Sequence, residues 1–290
     1  MIMSITRMSP AMVVVKKVHG KSRVTRCLSK YPLKFITPTK VGSSAIDAVW
    51  IYTATYGGGL VSGDSISCEI VVGDGCTACI TTQASTKVYK SIDNKCSEQF
   101  LEAKVGSDAL LVVIPDPVTC FSTAKYNQKQ VFRVSPDANL VVVDWITSGR
   151  HESGERWDMD LYRSANCIFA NDEQPIFLDS VLLEAGKGSG IAERMHHYQV
   201  MGMLVVYGRK LKQMQLEIEA KVRETMCGQM RGRRSTKPTH VTSYSPFGPK
   251  GTGAGVVVRF VAMSTEWACR FLGEALAGLG PVVGVRPYKM

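Results

Sequence analysis

SISCEIVVGDGCTACITT, residues 65–82, sets the architecture of this chain. In Ser65–Val72 the apolar residues alternate with the others, which is the period-2 pattern of a half-buried strand. Asp74-Gly75 follows, a pair that suits the positive φ of a hairpin turn. The sequence therefore predicts a strand over Ser65–Val72, a tight turn, and a return strand over Cys76–Thr82.

Short apolar runs separated by turns recur along the rest of the chain. Further strands are predicted at Trp50–Thr55, Gln99–Val105, Leu110–Ile114, Lys129–Val134, Leu140–Trp145, Trp157–Ala170, Pro175–Leu183, Gln199–Tyr207 and Gly255–Met263. Three- and four-residue apolar spacing predicts two helices in the C-terminal third, Arg209–Met226 and Ser264–Leu279. Many strands, two helices and no βαβ alternation indicate a mostly-β fold.

Basic residues are concentrated at the N-terminus. The chain has 290 residues and a net charge of +10, and nine Lys or Arg residues precede the first acidic residue, Asp47. We divide the chain into a basic extension, residues 1–26, and a folded domain, residues 27–290. The extension is either a disordered, solvated tail or a strip that attracts an acidic partner.

The apolar runs and the cysteines also bear on the cellular compartment of the protein. No apolar run is long enough to span a bilayer, and no secretory pattern opens the chain. Nine cysteines are scattered along a large chain, which favours reduced thiols over a disulfide framework. We expect a cytoplasmic protein with no membrane association.

Three motifs that bind phosphate or metal ions in other proteins do not fit this sequence. Gly58–Ser65 matches a phosphate-binding loop except that Asp64 replaces the lysine, and a strand follows where a helix is required. Cys76 and Cys79 lie three apart on a predicted strand and so point to opposite faces, which prevents them from sharing a metal ion. The adjacent His196 and His197 also diverge, with no carboxylate or cysteine at a ligand-like spacing.

The polar run Asp144–Arg156 has several readings. It follows a predicted strand and contains two glycines that allow a sharp turn. Four interpretations fit the run: a hydrolase active-site loop, a structural turn with Arg–carboxylate pairs, an interaction surface, or a weak site for a divalent cation. A basic nucleic-acid-binding module is the other alternative, although such modules spread their cations over the folded surface.

Several blocks of this sequence closely resemble the signature blocks of the UreD (also called UreH) family. In order, these are Tyr31–Phe35, Gly57–Asp64, Thr81–Lys90, Pro115–Pro117, Phe121, Tyr126 with Gln128, Asp144, Gly149–Glu155, Arg194 and Gly208. The resemblance extends from about Tyr31 to about Val261. Thr81–Lys90 is its most specific block.

The resemblance implies a fold and a function. The fold is a largely β, helically wound, sandwich-like single domain of many short strands with few helices. The function is that of a non-catalytic urease accessory protein, a scaffold that acts with a UreF-type protein and a UreG-type GTPase and docks on apo-urease. Nickel passes through a tunnel in this subunit, with no tightly bound cofactor.

Weak oxygen ligands suit such a route, because a Cys/His cage would trap the ion. We predict that Asp64, Asp144 and Glu155 line or gate the nickel path. The alternative is that these carboxylates cap turns and pair with Arg150 or Arg156.

Overall fold

Strands dominate the chain. The computed structural model describes residues 10–38, 46–170, 174–186, 188–231, 238–248 and 255–288. Its strands are β1 (Ala11–Val18), β2 (Lys21–Leu28), β3 (Leu33–Ile36), β4 (Val49–Thr55), β5 (Ser65–Val72), β6 (Thr77–Thr82), β7 (Thr86–Val88), β8 (Ser97–Val105), β9 (Leu110–Val113), β10 (Val118–Cys120), β11 (Lys125–Val134), β12 (Asn139–Thr147), β13 (Leu161–Ala170), β14 (Gln174–Glu184), β15 (Val200–Tyr207), β16 (His240–Phe247) and β17 (Gly255–Ala262). Its helices are α1 (Ile191–Met195), α2 (Lys212–Arg231), α3 (Thr265–Ala275) and α4 (Gly280–Val283).

The strands form two sheets between which the chain winds. The seven-stranded sheet has the order β14-β13-β11-β8-β5-β1-β2. The ten-stranded sheet has the path β16-β17-β15-β12-β9-β6-β4-β3, and its other two strands lie off this path, with β10 paired to β12 and β7 paired to β10. From β4 to β13 the main strands alternate between the sheets, so neighbours in each sheet are parallel. The predicted mostly-β, helically wound fold is confirmed.

The expected hairpin at residues 65–82 is wrong. Both strands form and Gly75 has the positive φ of +63°. However, β5 pairs with β1 and β8, whereas β6 pairs with β4 and β9. The turn therefore carries the chain from one sheet to the other. The next two crossings between the sheets follow the same path. Ala78 of β6 therefore pairs with Leu111 of β9, and Leu111 pairs with Leu140 of β12.

The two ends of the sandwich differ. Connections from the seven-stranded to the ten-stranded sheet are short turns at residues 73–76, 106–109 and 135–138, each with a hydrogen bond between its first and last residues. Connections in the other direction are longer, at residues 56–64, 83–96, 114–124 and 148–160, and the middle two contain the short strands β7 and β10. These connections contain Gly57–Asp64, most of Thr81–Lys90, Pro115–Pro117, Phe121 and Gly149–Glu155 of the blocks that resemble the UreD family. Loop variation, and with it function, is expected at this end.

Two apolar cores lie on opposite faces of the ten-stranded sheet. The first fills the space between the sheets, with Ile70 and Phe132 facing Leu111 and Val142. The second joins the other face of the ten-stranded sheet to α2 and α3. Cys76 belongs to the first core and Cys79 to the second, as the strand spacing predicted. The eight cysteines whose side chains the structure describes are free thiols.

Both long helices form close to their predicted positions. A short 3-10 turn, Arg209–Leu211, precedes α2, and the side chains of Leu211, Met214, Ile218 and Val222 are buried. The Ser264 hydroxyl accepts a hydrogen bond from the Trp267 amide (3.2 Å), which is the predicted N-cap of α3.

The division of the chain after residue 26 requires correction. Residues 11–26, assigned to the extension, form β1 and most of β2, and β1 pairs with β5 and so joins the seven-stranded sheet. Val13 and Val15 are fully buried in the inter-sheet core. Basic residues obscured β1 because Lys16 and Lys17 end its apolar run and Lys21, Arg23 and Arg26 follow in β2. Residues 1–9 lie outside the described residues.

Candidate functional site

Asp144 is a carboxylate in the interior of the sandwich. It lies on β12, all of whose residues are buried. Leu140, Val142 and Ile146 of this strand face the seven-stranded sheet, and Val141 and Val143 face the helices. Strand periodicity therefore directs Asp144 into the space between the sheets. Its exposed fraction is 9%.

Three neutral donors from the opposite sheet hold this carboxylate. Gln128 Nε2 donates to Asp144 Oδ1 (3.1 Å), and Ser164 Oγ and Asn166 Nδ2 donate to Oδ2 (2.6 and 2.7 Å). Gln128 comes from β11 and the other two donors come from β13. The contacts thus bridge the two sheets through one side chain.

The polar cluster continues beyond these donors. The Tyr126 hydroxyl lies 3.0 Å from Gln128 Oε1 and 3.1 Å from Gln99 Oε1, and Gln130 Nε2 donates to Asn166 Oδ1 (2.9 Å). Burial holds the pKa of Tyr126 well above its usual value, so the phenol remains a donor. A row of amides and hydroxyls therefore lines the inner surface of the seven-stranded sheet.

Burial also raises the pKa of Asp144 above its usual value, and the hydrogen bonds from Ser164, Asn166 and Gln128 oppose that shift. Among the described residues no Lys, Arg or His forms an ion pair with Asp144. A buried carboxylate with only neutral partners gains from an arriving cation, which supplies the missing counter-charge. Chemically, the carboxylate can offer weak oxygen ligation to a cation.

Two cavities meet at this residue. The first, of about 170 Å³, has a mixed lining, in which apolar side chains such as Leu101 lie beside the polar residues Thr81, Thr82, Gln99, Asp116, Gln128 and Gln130. The second, of about 290 Å³, lies toward the β14 and β16 edges of the two sheets and is lined by residues that include Tyr162, Asp179, Val181, Met201, Met203 and Arg259. Asp144 and Trp145 line both cavities. Each cavity has room for several water molecules.

The outer part of the second cavity carries an ion pair. Arg259 donates through Nε (3.0 Å) and Nη2 (2.5 Å) to Asp179 Oδ1. The Asp179 side chain is 9% exposed, whereas Arg259 is 45% exposed. The positive charge of Arg259 thus lies toward solvent, and the carboxylate of Asp179 points inward.

Soft ligands do not compete with Asp144 in the first cavity. Cys68 lines that cavity, but burial raises the pKa of its thiol to about 12. A protonated thiol is a poor metal ligand. In the part of the chain that the structure describes, no group of three or more His, Cys, Asp or Glu side chains is placed to hold a metal ion.

Asp64 and Glu155 do not join Asp144. Asp64 Oδ2 accepts from the Val61 amide (2.9 Å) in a surface turn just before β5, which is a turn-capping role. That turn leads into a strand, in agreement with our rejection of a phosphate-binding loop. Neither Asp64 nor Glu155 lines the two cavities.

Glu155 belongs to the polar run Asp144–Arg156. Its carboxylate accepts from Arg150 Nε (3.0 Å), Arg150 Nη2 (2.5 Å) and the Arg150 amide (3.2 Å). The hydrogen bonds from Arg150 lower the pKa of Glu155 to about 2. The Arg150 guanidinium stacks 4.0 Å above the Phe121 ring. The loop is therefore a structural turn closed by an Arg–carboxylate pair, one of the readings left open above.

The histidine pair shows no sign of a shared site. His197 Nε2 lies 2.9 Å from the carbonyl oxygen of Pro238, and His196 adopts a positive φ of +51° where α1 ends. The two side chains have separate structural surroundings.

Sequence reasoning missed most of the Asp144 cluster. Gln99, Gln130, Ser164 and Asn166 were not singled out, and Gln128 entered only through the resemblance. A signal was present in β11, where Tyr126, Gln128 and Gln130 occupy alternate, inward-facing positions. The predicted strand began at Lys129, which was too late to expose that alternation.

No helix within the described ranges is long and apolar enough to cross a bilayer.

Comparisons with known proteins find close relatives. The family model of the UreD urease accessory protein matches residues 9–289. A protein named urease accessory protein D from Arabidopsis thaliana is 54% identical, with 97% of this chain and all of the relative covered. A protein of the same name from Oryza sativa subsp. japonica is also 54% identical, with 95% of this chain and 93% of the relative covered. The urease accessory protein UreD from Sorangium cellulosum is 36% identical, with 95% of this chain and 82% of the relative covered.

Proposed function

This chain belongs to the UreD family of urease accessory proteins, and we propose that it is a non-catalytic scaffold that delivers nickel to apo-urease. It acts in a complex with a UreF-type protein and a UreG-type GTPase, in the cytoplasm. Nickel is transient cargo, and the scaffold has no resident cofactor.

The position of Asp144 carries this proposal. A delivery route requires oxygen ligands that release the ion quickly. Polar side chains of the first cavity, among them Gln99, Gln128 and Gln130, lie beside Asp144, and the second cavity, whose lining is mostly apolar, continues on its other side. Nickel moves from one cavity to the other by way of the Asp144 carboxylate, and the surrounding amide and hydroxyl groups replace part of its hydration shell.

The three predicted route residues are assigned different roles in this proposal. Asp144 contacts the ion. Asp64 and Glu155 support the loops at the end of the sandwich, because the Val61 amide and Arg150 already occupy their carboxylates. Substitution of all three together would therefore mix a transport defect with a folding defect, and single substitutions separate them.

The geometry of the loop at residues 148–160 argues against the hydrolase alternative. A general base must be free to accept a proton at working pH, and Glu155, with a pKa of about 2, is held by Arg150. The nucleic-acid alternative needs aromatic platforms among the cations. The exposed cations of β1 and β2 share their face with aliphatic residues instead.

Co-purification tests the scaffold. A tagged copy is co-expressed with its cognate UreF-type and UreG-type proteins, and the eluate is run on a sizing column and then mixed with apo-urease, nickel and GTP. Co-elution well above the monomer mass, with urease activation that depends on this chain, is the expected result. A monomer that elutes alone, or activation that proceeds equally without it, would refute the proposed function.

A further inference from the structure

The hairpin of β1 and β2 carries a face of unpaired positive charge. Val13 and Val15 point into the core, so Val14, Lys16 and Val18 point outward from the seven-stranded sheet. The register places Arg26 opposite Val14, Arg23 opposite Lys16, and Lys21 opposite Val18. Four exposed cations therefore share one surface, which we call the basic hairpin face: Lys16, Lys21, Arg23 and Arg26.

Nearby acids are already engaged. Asp47 pairs with Lys17, which lies on the inward side of the hairpin, and also accepts a hydrogen bond from the Ser22 hydroxyl (3.0 Å). Glu69 of β5 pairs with Lys104 (3.0 Å). Within the described ranges no carboxylate forms an ion pair with the four cations of the basic hairpin face. The surface therefore keeps its full charge in the free chain.

One pair on this face is repulsive. Lys16 and Arg23 stand directly opposite each other on neighbouring strands, and like charges in that arrangement destabilise a sheet. Neutral residues at either position would fold at least as well. An anionic partner that lies across the pair turns the repulsion into attraction.

The hairpin also ends the sheet. β2 is the last strand of the seven-stranded sheet, and no strand within the described ranges pairs with its outer side. The Ser22 amide at the start of β2 already donates to Asp47 Oδ1. Beyond that point, such an edge presents backbone donors and acceptors that accept an added strand. Its cations repel a second copy of the same strand but attract an acidic one, so charge selects the occupant.

We propose that the basic hairpin face and the free edge of β2 bind an extended acidic segment of a partner protein. The segment adds as a strand beside β2, with its carboxylates near Arg23 and Arg26. The exposed side chains of Val18 (39% exposed) and Leu28 (47% exposed) offer apolar contact on the same surface. This inference does not depend on whether nickel passes Asp144.

The probe is a blocked ten-residue peptide of alternating Thr and Glu, compared with the same peptide carrying Gln for Glu. Binding to the full chain is measured by fluorescence anisotropy at 0.15 M salt, an ionic strength that screens long-range attraction. The test variant changes Lys16, Lys21, Arg23 and Arg26 to Gln. The control variant changes four exposed cations elsewhere to Gln: Lys34, Lys87, Lys129 and Arg163.

Wild type and the control variant are expected to bind the acidic peptide alike, and the test variant about tenfold more weakly, from four exposed charge contacts of modest strength. Amide exchange in residues 21–28 of wild type should slow on binding. This measurement needs no substitution, so it remains decisive even if the test variant folds poorly.

Other results would overturn the proposal. If the test and control variants lose the same amount of affinity for the acidic peptide, the attraction is nonspecific. If amide exchange in residues 21–28 is unchanged on peptide binding, strand addition is excluded. Duplex DNA and phosphatidylserine vesicles are assayed in parallel. If either binds through the same four residues while the acidic peptide does not, the occupant is a different anion.

Discussion

Two substitutions of Asp144 separate its role in packing from its charge. Asp144→Ala removes the acceptor of three hydrogen bonds, from Gln128 Nε2, Ser164 Oγ and Asn166 Nδ2, and leaves Ser164 Oγ as the remaining acceptor of the two amide nitrogens. Each buried donor that loses its partner costs about 1–3 kcal/mol. Because water can enter from either cavity, we take about 1 kcal/mol for each donor, which gives a loss of about 3 kcal/mol in the free energy of unfolding.

Asp144→Asn should behave differently. The amide keeps an oxygen acceptor and removes a charge whose burial is unfavourable. Burial raises the pKa of Asp144, so the native state binds this proton more tightly than the unfolded state. Its contribution to stability is therefore present below the usual aspartate pKa of 3.8 and is lost as the pH rises through the higher native value. Near neutral pH, Asp144→Asn should lie within about 1 kcal/mol of wild type.

Differential scanning fluorimetry at pH 7 checks both values. For a domain of this size, 1 kcal/mol corresponds to about 2 °C in Tm, so Asp144→Ala should melt about 6 °C below wild type and Asp144→Asn within about 2 °C of it. Equal melting temperatures for Asp144→Ala and wild type would mean that the three donors do not depend on the carboxylate, and the reasoning would fail.

Three further predictions concern the rest of the chain. Glu155→Gln should cost about 1–2 kcal/mol in urea unfolding above pH 4.5, after allowance for the solvent-exposed Arg150, and the difference from wild type should shrink as the pH falls toward 2, because ionised Glu155 stabilises the native state. Gly208→Ala should cost more than about 2 kcal/mol in the same assay, since φ is +112° and an added Cβ would lie 2.6 Å from the Ala138 carbonyl oxygen. Arg23→Thr should raise stability by about 0.5 kcal/mol, seen as a small increase in Tm, because it removes the repulsion with Lys16.

The individual strands could be predicted from the sequence better than their arrangement. Alternation in Ser65–Val72 reports one buried face whether the next strand returns beside it or crosses to another sheet. The turn at Gly75 serves either arrangement. The choice is made by contacts distant in sequence, such as β5 with β1 and β6 with β4, and local patterns do not contain that information.

The candidate site was also predicted only in part. The resemblance pointed to Asp144, and the structure places it between two cavities. Its partners lie 16 to 22 residues away along the chain and come from the opposite sheet, so no local spacing links them. Asp64 and Glu155 appeared equivalent to Asp144 because all three are acids next to turns, and only the contacts distinguish them.

Nickel transfer through the assembled complex is the most direct test of the central claim. Complexes containing wild type, Asp144→Asn or Glu155→Gln are purified at equal stoichiometry, and urease activation is followed after nickel and GTP are added, with an excess of chelator to remove free ion. Glu155→Gln is the matched control, since it changes a second buried carboxylate outside the cavities. We predict that the Asp144→Asn complex assembles but activates urease at least tenfold more slowly, a barrier increase of about 1.4 kcal/mol or more, while Glu155→Gln retains the wild-type rate. Wild-type activation by the Asp144→Asn complex would contradict the account.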